Sequence, residues 1–161
     1  MPMKIVEYHG KYRKSAIELM CLLQEHERRL SSDRPPSNEI SAGQLDYLVA
    51  AVRNSIGKIF LAIESAKAVG LIVVFRDNEH PGTQHVYPEY LQYGLITDFV
   101  VAESHRGSSV ASELLKHAED FCHFHGLSIV KLSVLHTNAV ARSFYEKRGY
   151  LPYEMVYRKV I

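Results

Sequence analysis

The stretch from Leu95 to Gly126 constrains this chain most, because three independent local rules agree along it. Ile96, Phe99, Val100 and Val101 form a mostly apolar, β-prone run, the pattern of a strand buried on both faces. Val110, Leu114, Leu115, Ala118, Phe121 and Cys122 then recur at helical spacing, while Glu113, Lys116, Glu119 and Asp120 fall largely outside that stripe. Gly126 supplies the helix stop.

Between strand and helix, Arg106-Gly107-Ser108-Ser109-Val110-Ala111 sets a cation and a row of small residues at a helix start. Unpaired backbone N–H groups and the positive end of the helix dipole meet there, making an anion site suited to phosphate. The same residues also read as a tight turn into a helix capped by Ser108 or Ser109. Downstream, residues 131–136 (KLSVLH) are strand-like and lead into Thr137-Asn138, Ala141, Phe144-Tyr145 and Gly149-Tyr150. Taken alone, that segment is an Asn- or Thr-capped helix with Phe144 in the core and Gly149 at its C-terminal stop.

Together the two motifs resemble those of the GNAT superfamily of N-acetyltransferases. Arg106 and Ala111 match the ends of that family's pyrophosphate loop, Arg/Gln-x-x-Gly-x-Gly/Ala, with Ser109 standing where the family usually has Gly. Asn138, Ala141, Phe144, Tyr145 and Gly149 match its Asn-x-x-Ala-x-x-Phe-Tyr-x-x-x-Gly-Phe signature, with Tyr150 for the final Phe. The resemblance implies a single acetyltransferase domain over residues 1–161, an α/β fold with a mixed central sheet flanked by helices. It implies acetyl-CoA as co-substrate, no metal, and direct acetyl transfer to a primary amine of a small molecule, peptide or protein.

Residue by residue, the resemblance assigns the pantetheine and thioester carbonyl to the backbone of Phe99, Val100 and Val101. The pyrophosphate falls to Arg106, Gly107, Ser108, Ser109, Val110, Ala111 and Ser112, and Asn138 joins the cofactor-binding set. Tyr145 becomes the proton donor to the leaving thiolate; an unperturbed phenol, pKa ~10, stays protonated at neutral pH. Asp98 is the acidic group near the acceptor amine, binding the cation or ordering a water relay, and His136 is its rival as base. A non-catalytic acyl-CoA sensor with the same fold is the alternative reading.

The rest of the chain fits one domain. With 161 residues, 47% hydrophobic and 23% charged, it is long enough for a substantial core, and a net charge of +1 gives no electrostatic case for nucleic acid. No apolar run approaches the ~20 residues that cross a bilayer, and the first ten residues lack a signal-peptide core, so a cytoplasmic location with no membrane partner is expected. Cys21 and Cys122 read as reduced core thiols.

Residues 3–8 predict a first strand, 12–30 and 42–54 two helices, 58–64 and 68–76 a β-hairpin, and 153–160 a final strand. The Pro-rich residues 31–36 read as a mobile surface loop, although in the GNAT family this region commonly walls the acceptor site. The long segment 77–93, with two His, two Pro and three Tyr, reads as an acceptor-site wall or as a subunit contact of a homodimer. His117, His123 and His125 do not share a helix face, no Gly-x-Ser-x-Gly elbow surrounds a serine, and the three-glycine dinucleotide fingerprint is missing.

Overall fold

A computed structural model describes residues 2–161. Strand β1 (Lys4–Glu7) leads to helices α1 (Arg13–Leu30) and α2 (Ser37–Asn54), then to strands β2 (Gly57–Glu64), β3 (Lys67–Asn78) and β4 (Gln92–Val101). Helix α3 (Val110–Phe124), strand β5 (Val130–Leu132) and helix α4 (Ala139–Glu146) follow. The sheet runs β1-β2-β3-β4-β5, antiparallel through β4 and parallel between β4 and β5. It is the mixed α/β sheet expected from the sequence.

Two apolar layers sandwich the sheet. Ala16, Leu19 and Met20 of α1 and Leu45 and Leu48 of α2 pack on Leu61, Leu71, Val73 and Val100. Val110, Leu114, Leu115, Ala118 and Cys122 of α3 pack on Ala62, Ile72, Val74 and Ile96 of the opposite face, where Phe144 of α4 also docks. Adjacent strand residues such as Leu61 and Ala62 are therefore both fully buried, which is why these strands read as continuous apolar runs. Among the described residues, no helix is long and apolar enough to cross a membrane.

Helix α2 begins at Ser37, five residues before the apolar periodicity suggests. Its first amide is taken up from outside: Ser37 N donates to Glu25 Oε1 of α1 at 2.9 Å. A carboxylate at a helix N-terminus satisfies an orphan donor and opposes the dipole, and sequence periodicity cannot register a cap that arrives from another helix.

The β2–β3 hairpin turns on Ser65 and Ala66, at φ 48° and 65°. Two positive φ values make a primed two-residue turn, whose twist suits a hairpin although neither residue is glycine. Close packing sets two glycines. A Cβ on Gly70 would lie 2.8 Å from Leu114 Cδ1 and 3.0 Å from Val110 Cγ1, and one on Gly94 only 2.2 Å from Cys122 Sγ, so α3 rests directly on the strand backbones.

The final strand expected over residues 153–160 is not formed. Residues 151–161 are exposed and lie outside any ladder. Arg158 pairs with Asp33, and the Lys131 ammonium lies 5.2 Å from the Tyr153 ring. β-Propensity becomes a strand only where a neighbouring edge takes up the backbone N–H and C=O groups, and here those groups face water. The strand expected over residues 131–136 is likewise shorter, its ladder ending at Leu132.

Candidate active site

The site is built around an irregularity in β4. Ile72 pairs with Phe99 but Val74 with Ile96, so Thr97 and Asp98 together face Val73. That extra residue is a β-bulge, and it switches the side-chain alternation. Ile96 packs under α3, whereas Val100, four residues on, packs under α1 and α2. Asp98 is consequently turned into a cavity of about 360 Å³ walled by α1, α2 and the segment joining them.

The opposite side of β4 opens because β5 accompanies it only from Gly94 to Ile96. Beyond Ile96 this edge of β4 has no strand partner, and a second cavity of about 70 Å³ lies between the diverging chains. Phe99, Asn138, Ala141 and Tyr145 line it. Leu23, Glu27 and Thr97 line both cavities, so the two spaces share a wall at the bulge.

Tyr145 is held by its ring, at 6.4 Å from Phe99, 5.4 Å from Phe144 and 5.6 Å from Tyr150 between centroids. Burial alone pushes its phenol up to about 12, so it remains a proton donor over the workable pH range. Asn138 caps α4, its Oδ1 accepting from Ala141 N at 3.1 Å. Asp98 is half-buried; desolvation and the nearby Glu27 charge raise its carboxyl above the ordinary range, against hydrogen bonding from Thr97 and Gln44. His136, the rival base, is exposed and lines neither cavity.

The segment read as a mobile loop, residues 31–36, is instead fixed as a cavity wall. Gln24 Nε2 donates to Pro35 O at 2.8 Å, and Arg34 binds Glu27 at 3.1 Å and Asp33 at 2.7 Å. These partners lie on α1 or within the segment, where composition alone gives no sign of them.

At the other end of β4 the chain turns into α3 through an exposed loop carrying Arg106, Gly107, Ser108 and Ser109. Gly107 has φ 76°, and nothing lies within 4 Å of the position a Cβ would take. The cap is supplied by Ser108, whose Oγ accepts from Val110 N at 3.4 Å; Ser109 occupies the cap position without a side-chain bond. Ser109 has φ −73°, which any residue adopts, so serine in place of the family's glycine does not strain this turn. His105 Nε2 binds Glu64 Oε2 at 2.7 Å and fastens the loop to β2.

Sequence reasoning missed Arg148. Its guanidinium stacks 3.7 Å from the Phe144 ring centroid and reaches Ser112 Oγ at 2.6 Å, bringing a second cation to the first turn of α3. The helix start, the open glycine and two arginines fit a pyrophosphate group.

The family model described as the acetyltransferase (GNAT) family matches residues 17–150. The chain belongs to the GNAT acetyltransferase family. Solved structures agree with this GNAT fold over nearly the whole chain. The BH1408 protein of Bacillus halodurans, as a tetramutant, superposes with a TM-score of 0.81 at 16% identity, covering 98% of this chain and 99% of its own. Glucosamine-6-phosphate N-acetyltransferase from Arabidopsis thaliana gives 0.69 at 19% identity, covering 99% of both chains. Aminoglycoside 6′-N-acetyltransferase from Acinetobacter haemolyticus gives 0.69 at 19%, covering 98% of this chain and 99% of its own. No match was found among curated protein sequences.

Proposed function

We propose that this GNAT protein transfers an acetyl group from acetyl-CoA directly to a primary amine. The observation that carries this reading is the pair of adjoining cavities, one holding Asp98 and the other Tyr145, which share a wall at Thr97. Acetyl-CoA supplies the thioester carbon that the amine attacks. Along the free edge of β4 from Phe99 to Val101, the N–H groups of Phe99 and Val101 point away from β3 and are offered to the acyl carbonyl and pantetheine, where developing negative charge would be stabilised, while that of Val100 faces Leu71 of β3. Asp98 binds the ammonium form of the acceptor and, directly or through an ordered water, its carboxylate accepts the proton whose loss leaves the neutral amine free to attack the thioester carbon. Tyr145 gives a proton to the departing sulfur from the smaller one.

The loop of Arg106 to Ser109 and the first-turn amides of α3, including those of Val110, Ala111 and Ser112, hold the pyrophosphate, and Asn138 closes the smaller cavity. Arg106→Ala should weaken acetyl-CoA binding by about 10-fold, the worth of one charge-assisted contact, with no change in fold. Calorimetry on the two proteins checks it, and an unchanged affinity would remove Arg106 from the site.

Asp98 should trade stability for function. Its carboxyl pKa lies higher in the folded chain than in the unfolded one, so the folded state binds its proton more tightly. This term therefore weakens the fold as pH rises through the carboxylate range. Asp98→Asn should melt above the parent at pH ~7 and lose that advantage below pH ~3.9, the unfolded carboxylate value. Its turnover should fall. Melting curves at both pH values and an assay at the higher one test this, and a variant less stable than the parent at neutral pH would contradict it.

A further inference from the structure

The segment after α4 presents a surface that acetyl transfer does not use. Among the described residues, seven of the twelve large apolar side chains left exposed fall within residues 151–161, Val156 and Tyr157 at 89% and 88% among them. An apolar patch of this kind marks an interaction site. The start of the segment is fixed, since Tyr150 packs in the α3 layer and its hydroxyl donates to Glu119 Oε1 at 2.8 Å. Beyond it, no backbone–backbone hydrogen bond among the described residues involves residues 151–161, although the Tyr153 ring lies 5.2 Å from the Lys131 ammonium of β5. The chain's own sheet edge is close by and does not take the segment up.

The sequence of the segment selects its partner. Leu151, Tyr153, Met155, Tyr157 and Ile161 fall on one face at strand period, and the Tyr157 hydroxyl donates to Met155 Sδ at 3.5 Å, on the same side of the chain. Glu154 and Arg158 lie two residues either side of Val156. When two copies of the segment run antiparallel about a two-fold axis at Val156, each Glu154 therefore stands opposite the partner's Arg158. The same register sets Met155 opposite the partner's Tyr157, Leu151 opposite the partner's Ile161, and the Tyr153 ring opposite the partner's Lys159. Arg158 also holds Asp33 of its own chain, but its side chain is 62% exposed and its guanidinium has donors for a second carboxylate.

Area agrees with this pairing. Tyr153 and Tyr157 offer about 150–250 Å² each, and with the aliphatic side chains and backbone of both copies the contact comes within the roughly 1,200–2,000 Å² of a stable interface. We propose that two copies of this chain associate through residues 151–161, paired antiparallel about Val156. The contact is isologous and closes on itself, so the product is a discrete dimer.

The test measures the mass of the full chain by light scattering and sedimentation over a concentration series. A dimer should dominate by ~100 μM, and a chain still monomeric there would overturn the proposal. Glu154→Arg and Arg158→Glu each set like charges opposite one another twice, and each should raise the dimer Kd at least ~10-fold. Both residues are exposed in the single chain, so the melting temperatures of the dilute variants should stay near the parent's. An equimolar mixture of the two variants should recover the dimer, because opposite charges then meet at both positions. Parental Kd in Glu154→Arg, or no recovery on mixing, would overturn the register. Hydrogen exchange locates the contact: amides within residues 153–159 should slow as the parent's concentration rises, and a dimer that leaves them unprotected would overturn the assignment of this segment.

Discussion

Tyr145→Phe should lower kcat by ~10²- to 10⁴-fold, the usual contribution of a positioned general acid, while melting temperature and acetyl-CoA affinity stay near the parent's. The ring packs beside Phe144 of α4 against Phe99 of β4 and Tyr150, and Phe keeps these contacts. Tyr145 lines the smaller cavity, and its phenol pKa is raised by burial with no hydrogen-bond contribution, so removing the hydroxyl breaks no structural bond. The loss should appear in kcat and in kcat/KM together, because the proton is needed as the sulfur departs and not when the substrate binds. Near-parental turnover in a stable Tyr145→Phe protein would leave Asp98 and the β4 amides as the main catalytic groups.

The largest expected stability effect lies away from the chemistry, at Gly94→Ala. The added Cβ would stand 2.2 Å from Cys122 Sγ and 3.5 Å from Cys122 Cβ, far inside contact distance. Neither side can yield easily. Gly94 is clamped between Arg76 of β3 and Val130 of β5, with its N–H on Ile129 O at 2.8 Å, and Cys122 is 1% exposed within the α3 layer. Overpacking of this kind costs about 1–3 kcal/mol. For a chain of this size that lowers the melting temperature by roughly 2–12 °C. Because one sulfur atom makes the clash, Cys122→Ala placed on the Gly94→Ala background should restore part of the loss, a coupling a double-mutant cycle measures. A Gly94→Ala protein as stable as the parent would show that α3 does not rest on this strand.

Local rules carried the sequence reading furthest where the structure is itself local. The α3 stripe of Val110, Leu114, Leu115, Ala118 and Cys122 is buried as its spacing implies, and Gly126 ends the helix at φ 71°. The two loop-and-helix motifs identified the family. What escaped notice depends on register or on distant partners. The bulge at Thr97 and Asp98 exists only relative to Val73 on β3, yet it determines that Asp98 enters the α1–α2 cavity. The early start of α2 depends on Glu25, and the fixed wall at Arg34 and Pro35 on Glu27 and Gln24. Residues 153–160 have the composition of a strand but no ladder to join, so propensity without a partner misled. Tyr145 was legible as a candidate through the GNAT signature, and Asp98 through its place one residue before the cofactor-binding part of β4. Their placement in adjoining cavities was not, because it follows from the bulge at Thr97 and Asp98 on one side and the divergence of β4 and β5 after Ile96 on the other.

The most direct test of N-acetyl transfer is acceptor-dependent thiol release from acetyl-CoA by the purified chain, with mass spectrometry of the amine in the same reaction. Thiol should appear only when an amine is present, matched one for one by amine that has gained an acetyl group. Binding of acetyl-CoA without acceptor-dependent thiol release across a broad amine panel would contradict catalysis and make the protein an acyl-CoA sensor built on the GNAT fold.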